Sequence, residues 1–141
     1  VYMGYVWPPG RVQEALSYWN RQVGRPLRML ALDVEAGAAV WPEHVEAVRT
    51  AGLEPIIYTS AWQWGQIMRA TPYYDYYARR GIRLWAAQYV VFDWDGIWPA
   101  AMDPVVPRPW QERPDLLIGW QFAGDLPFGG RRWDLNLMLW P

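Results

Sequence analysis

The stretch Arg28-Met29-Leu30-Ala31-Leu32-Asp33-Val34-Glu35-Ala36-Gly37 constrains the fold more than any other part of the chain. It reads as a short apolar strand that ends in two carboxylates. On a two-residue period Leu30, Leu32 and Val34 share one face, and Met29, Ala31, Asp33 and Glu35 share the other. Both faces stay apolar until the strand ends, which predicts a parallel strand covered on both sides. Ligand sites in such sheets and barrels lie at the carboxyl ends of the strands. Asp33 and Glu35 sit at that end, on one face, with Cα atoms about 7 Å apart from the strand rise. Two carboxyl groups this close do not titrate independently, and one is expected to hold a proton near neutral pH. An acid beside a carboxylate is the pairing that glycoside hydrolysis uses. The same pair at a strand end can also cap a neighbouring helix or pair with arginine, and these ten residues alone leave both readings open.

The rest of the chain alternates in the same way. Residues 2–6 read as a strand stopped by Pro8-Pro9-Gly10, and residues 11–23 as a helix with Val12, Ala15, Leu16, Trp19 and Val23 on its apolar face. After the acidic strand, Pro42 suits the first turn of a helix running to Ala51. His44, the one histidine, falls in that turn and is expected to face solvent. Residues 55–58 form a buried strand, and Ser60-Ala61-Trp62-Gln63 has the form of a capping box opening a helix to about Ala70. A short helix follows through Tyr73 to Tyr77, then a strand over 82–87. Residues 90–115 hold no period and predict a long surface loop, of the kind that is functional or mobile. Strands over 116–122 and 132–138 close the chain around a turn at Asp125 to Gly130. The order β-α-β-α-β-α-α-β-loop-β-turn-β predicts an α/β architecture with a parallel sheet or barrel, in a single domain over residues 1–141.

Composition narrows the function. Of the 141 residues 52% are apolar and 19% charged, which argues for one packed core. A net charge of −1 without charge runs gives no footprint for nucleic acid. No apolar run approaches a membrane span, and no signal-peptide pattern is present. The absence of cysteine excludes disulfides and thiolate metal sites, and no metal or other cofactor is implied. Twelve Trp and nine Tyr suit either a large aromatic core or a cleft whose flat rings stack on sugars.

Six short pieces, taken in order, resemble the family 25 glycoside hydrolases, the N-acetylmuramidases of bacteria, fungi and phages. They are Gly4-Tyr5-Val6, Leu32-Asp33-Val34-Glu35, Pro55-Ile56-Ile57-Tyr58-Thr59-Ser60, Leu84-Trp85-Ala86-Ala87-Gln88-Tyr89, Trp120-Gln121-Phe122 and Trp133-Asp134-Leu135-Asn136. The resemblance implies a partial or irregular (β/α) barrel of the family 25 lysozyme type, with six of the family's eight strands in place. It implies cleavage of the β-1,4 bond between N-acetylmuramic acid and N-acetylglucosamine in peptidoglycan. Glu35 would be the general acid, with its proton retained near neutrality. Asp33 would assist the substrate's acetamido group or stabilise positive charge, and Asp134 would reach in from the last strand. Tyr58, Trp85, Tyr89, Trp120, Gln121 and Asn136 would line the cleft.

The family places two further strand-helix units, one bearing another acidic residue, ahead of its Gly-x-Tyr strand. The chain is therefore expected to be N-terminally truncated, with catalysis belonging to the intact parent protein. The exposed edge of the first strand is expected to be covered by the missing segment or by a second chain. A secreted, cell-wall-associated or phage-encoded protein is implied, with peptidoglycan glycan strands as partner. The alternative is a degenerate barrel that holds glycan, or serves structurally, without cutting it.

Overall fold

The computed structural model of the protein describes residues 2–90 and 103–139. Six strands lie in one sheet in their chain order: β1 (Met3–Val6), β2 (Met29–Asp33), β3 (Glu54–Thr59), β4 (Arg83–Ala87), β5 (Leu117–Phe128) and β6 (Arg131–Met138). The first five are parallel, and β6 returns antiparallel to β5. The helices are α1 (Val12–Gln22), α2 (Pro42–Thr50), α3 (Ala61–Met68), α4 (Tyr76–Arg79) and α5 (Arg108–Gln111), with 3-10 turns at Pro9–Arg11 and Pro114–Leu116. None of the described helices is long and apolar enough to cross a membrane.

The sheet curls into a half-barrel with its two faces differently covered. Leu30, Leu32 and Val34 of the acidic stretch join Ile57 and Leu84 on the outer face, where Val45, Val48, Trp64, Tyr77 and Trp110 pack over them. Trp64 stacks edge-on against Trp110 at 4.9 Å and Tyr77 at 6.0 Å, and the Trp110 indole N–H donates to the Ile82 carbonyl at 2.9 Å. Much of the aromatic content is spent on this layer. The other face carries a smaller cluster, with Met29, Ala31, Ile56, Tyr58, Ala87 and Ile118. Its members come from strands alone, so this face is the inside of the curl rather than a second helix-covered surface. Cover on both sides of β2 was the expectation, and curvature provides what a second helical layer would otherwise provide.

Four local expectations change, among them the short helix expected through Tyr73 to Tyr77, which forms at Tyr76–Arg79 instead. The turn predicted at Asp125 to Gly130 shrinks to Gly129 and Gly130, both at positive φ, because β5 runs on to Phe128 through two register shifts against β6. Within the predicted loop over 90–115, α5 and the turn at Pro114–Leu116 are ordered by burial of Trp110 and Leu116, and residues 91–102 lie outside the described residues. His44 is half-buried, and its Nδ1 accepts the Trp41 backbone N–H at 3.2 Å, so it caps α2 rather than facing water. The opening of α3 matches its sequence signal, with Ser60 Oγ accepting the Gln63 N–H at 3.1 Å.

Strand β1 pairs with β2 along one edge. No described segment of the chain pairs with its other edge, so the cover expected there does not come from the described residues. A groove of about 900 Å³ between β1 and α1 borders that edge, with Tyr5, Trp7, Tyr18 and Trp19 among its walls.

Candidate active site at the strand ends

The parallel register sets the level of each residue along the sheet. Asp33 pairs with Tyr58, and Tyr58 with Trp85. One step further toward the carboxyl ends, Ala87 pairs with Gln121, and Gln121 with Asn136. Because β6 runs antiparallel, Asp134 lies beyond Asn136 in the same direction. Asp33, Glu35 and Asp134 therefore occupy one end of the sheet. The curl brings the outer strands toward each other. The negative charge of Asp134 on β6 acts on the Tyr5 phenol of β1. Those strands would stand about 24 Å apart in a flat sheet of this spacing.

Glu35 lies just past the end of β2, and its backbone is held from three sides. Its carbonyl accepts the Trp7 indole N–H at 3.3 Å and the Ala38 N–H at 2.9 Å. The preceding Val34 donates its N–H to the Tyr58 carbonyl at 2.9 Å and accepts the Thr59 hydroxyl at 2.7 Å. The turn that follows puts Ala36 at φ 48° and Gly37 at φ 83°. Glycine accepts the left-handed region freely, while alanine there is strained.

Asp33 is wholly buried, and neither of its carboxylate oxygens has a hydrogen-bond partner. Burial is the first cause that pushes its pKa from the usual 3.8 up to about 7. The nearby Tyr5 phenol lowers it somewhat, although the approach falls short of a formed hydrogen bond. The neighbouring Glu35 raises it through its like charge. Asp33, the buried member of the pair, is thus held well above the usual carboxylate range. Burial also raises the phenols of Tyr5 and Tyr58, next helped by Asp33 at Tyr5 and by Tyr89 at Tyr58. Burial likewise raises Tyr89. All three phenols are thus protonated donors at neutral pH.

A cleft of about 430 Å³ opens beside the pair, and Glu35, Tyr58, Gln88, Tyr89, Trp62 and Gln63 contribute to its walls. Of the residues expected to line a cleft, Tyr58 and Tyr89 do so. Gln121 is buried behind them, its Oε1 accepting the Tyr58 hydroxyl. Trp85 packs edge-on against Tyr58 at 4.8 Å and donates its N–H to Asn136 Oδ1 at 3.0 Å. Trp120 is not part of this lining. It is buried with Phe122, Ala123 and Leu126, and its N–H goes to the Gln88 carbonyl at 2.8 Å. Asp134 is exposed and accepts the Asp125 N–H at 3.1 Å. Among the described residues no group of three or more His, Asp or Glu side chains is placed to hold a metal ion.

Tyr5, Trp62 and Gln63 were not singled out from the sequence as site residues. Tyr5 could have been, since it shares the alternation that points Asp33 inward. Trp62 and Gln63 carried only a helix-capping signal. Compared with family models, with curated proteins and with solved structures, the chain matches none.

Proposed function

We propose that this protein is a glycoside hydrolase of the muramidase type, cutting the β-1,4 bond between N-acetylmuramic acid and N-acetylglucosamine in peptidoglycan. The observation that carries the reading is Asp33, buried, unpaired and proton-bearing up to about pH 7, next to Glu35 at the mouth of an aromatic cleft. A structural carboxylate at a strand end normally finds an N–H or an arginine. Asp33 has neither, and its proton can be donated. The fold is compatible with a partial barrel of the family 25 lysozyme type, and the six matching pieces of sequence support it further.

In this mechanism the acidic pair carries one proton. Asp33 holds it at rest and passes it to Glu35, which lines the cleft and delivers it to the glycosidic oxygen as the bond from that oxygen to the sugar C1 breaks. Water then adds to C1, and the proton it sheds returns to the pair. Once the proton has left, the buried Asp33 carboxylate stabilises through space the positive charge developing on the sugar ring. Asp134 adds negative charge from the last strand. The phenols of Tyr5 and Tyr89 donate to sugar hydroxyls. Release of reducing ends from purified peptidoglycan by the protein and by Glu35→Gln tests the reading. Normal cleavage by Glu35→Gln would sink it.

A second reading, a glycan-holding module without hydrolysis, is favoured by the edge of β1 that no described segment covers, since a half-barrel walls the cleft on fewer sides than a closed barrel. Binding of peptidoglycan with no release of reducing ends would replace the first reading with this one.

A further inference from the structure

Exposed aromatic rings gathered on one open surface, unlike single scattered ones, mark a place where something binds. Trp62, at the first turn of α3, is 67% exposed, and Trp41, at the entry to α2, is 37% exposed. They stand on a shared open cavity of about 530 Å³, to which Gln63, Gln66 and Thr71 also contribute. Trp41 is fixed in place by an edge-on contact with Tyr73 at 5.9 Å. Among the described residues, no charged side chain contributes to this cavity. Trp62 and Gln63 also line the cleft that holds Glu35, so the two spaces meet at the start of α3.

We infer that the Trp41–Trp62 cavity is a second glycan subsite, which takes an uncharged stretch of a β-linked amino-sugar chain as it runs out of the Glu35 cleft. Flat indole rings stack on the apolar faces of pyranose rings, and the side-chain amides of Gln63 and Gln66 and the Thr71 hydroxyl both donate and accept hydrogen bonds, as sugar hydroxyls require. A cavity without charge suits the neutral backbone of such a chain better than its ionised peptide substituents. The inference rests on the glycan reading of the cleft and adds that the protein prefers long chains to short ones. The ring of Trp62 forms the bridge between the two spaces.

The test uses β-1,4-linked N-acetylglucosamine oligomers of two and six sugars, titrated calorimetrically into Glu35→Gln protein so that none is consumed. The hexamer should bind more tightly than the dimer. Adding Trp41→Ala should weaken the hexamer about tenfold, the scale of one lost ring contact, and leave the dimer unchanged. Trp41→Ala also removes the Tyr73 contact. Gln66→Ala, an exposed helix position, therefore serves as the second variant and should weaken the hexamer selectively too. Hexamer binding indifferent to both substitutions overturns the subsite and leaves the cleft reading standing. Hexamer binding that depends on Trp41, in a protein whose unmodified form cuts nothing, supports the subsite and removes hydrolysis. Absence of binding at both lengths overturns the two together.

Discussion

Tyr58 on β3 donates its hydroxyl to Oε1 of Gln121 on β5, across the inside of the sheet and over the intervening β4. The bond ties the floor of the cleft to the strand beneath the closing hairpin. Tyr58→Phe leaves the buried Gln121 oxygen without its donor, and the cost should be about 1–2 kcal/mol in chemical denaturation. The midpoint should fall with no change in the denaturant slope. An unchanged midpoint would show that water replaces the hydroxyl without loss.

Asp33 links stability to pH. Its folded pKa of about 7 lies above the ordinary 3.8, so the folded state holds the proton more tightly than the unfolded chain. The resulting stability is fully present below about pH 4 and is lost as pH rises through about 7. Asp33→Asn removes the titrating group. At pH 8 the variant should be more stable than the unmodified protein, on the order of 2 kcal/mol, with the advantage shrinking toward pH 4. Parallel stability curves for the two proteins across this range would contradict the burial argument.

Glu35→Gln removes the only carboxyl group of the pair that reaches the cleft. Reducing-end release should fall about a hundredfold to ten-thousandfold, the usual worth of a general acid. Asp134→Asn should also reduce it, with little effect on folding, since Asp134 is exposed and its amide replacement can still accept the Asp125 N–H.

His44→Ala should leave cleavage unchanged and cost about 1 kcal/mol of stability, because the side chain closes the N-terminus of α2 rather than entering the cleft. Thermal melting and the peptidoglycan assay, run on one preparation, separate the two effects.

Ala36→Gly relaxes the left-handed residue that follows Glu35. Alanine at φ 48° carries a strain of about 1 kcal/mol that glycine does not. The entropy of glycine in the unfolded chain offsets part of this. The variant should melt slightly higher than the unmodified protein, or level with it. A clear loss of stability would mean that the Ala36 methyl makes contacts that outweigh its backbone strain.

Sequence alone determined most of the elements and the level of the acids. The period of two in residues 28–35 put Asp33 and Glu35 on one face at a strand end, and the alternation of strands and helices called for parallel pairing. Both signals are local, since they depend only on which side chains one short segment must bury. Tertiary structure decided what local pattern cannot carry. Trp120 and Trp85 both occur in aromatic strand motifs, but the curl of the sheet and the register shifts of β5 sent Trp120 into the core under the hairpin and left Trp85 holding Asn136. The Asp33 pKa is raised because desolvation depends on what surrounds a carboxyl group in space, and Asp33 stays covered while Glu35, two residues on, reaches the cleft wall. Trp41 and Trp62 lie twenty-one positions apart in the chain, and only the packing of α2 and α3 onto one side of the sheet sets them on a shared cavity.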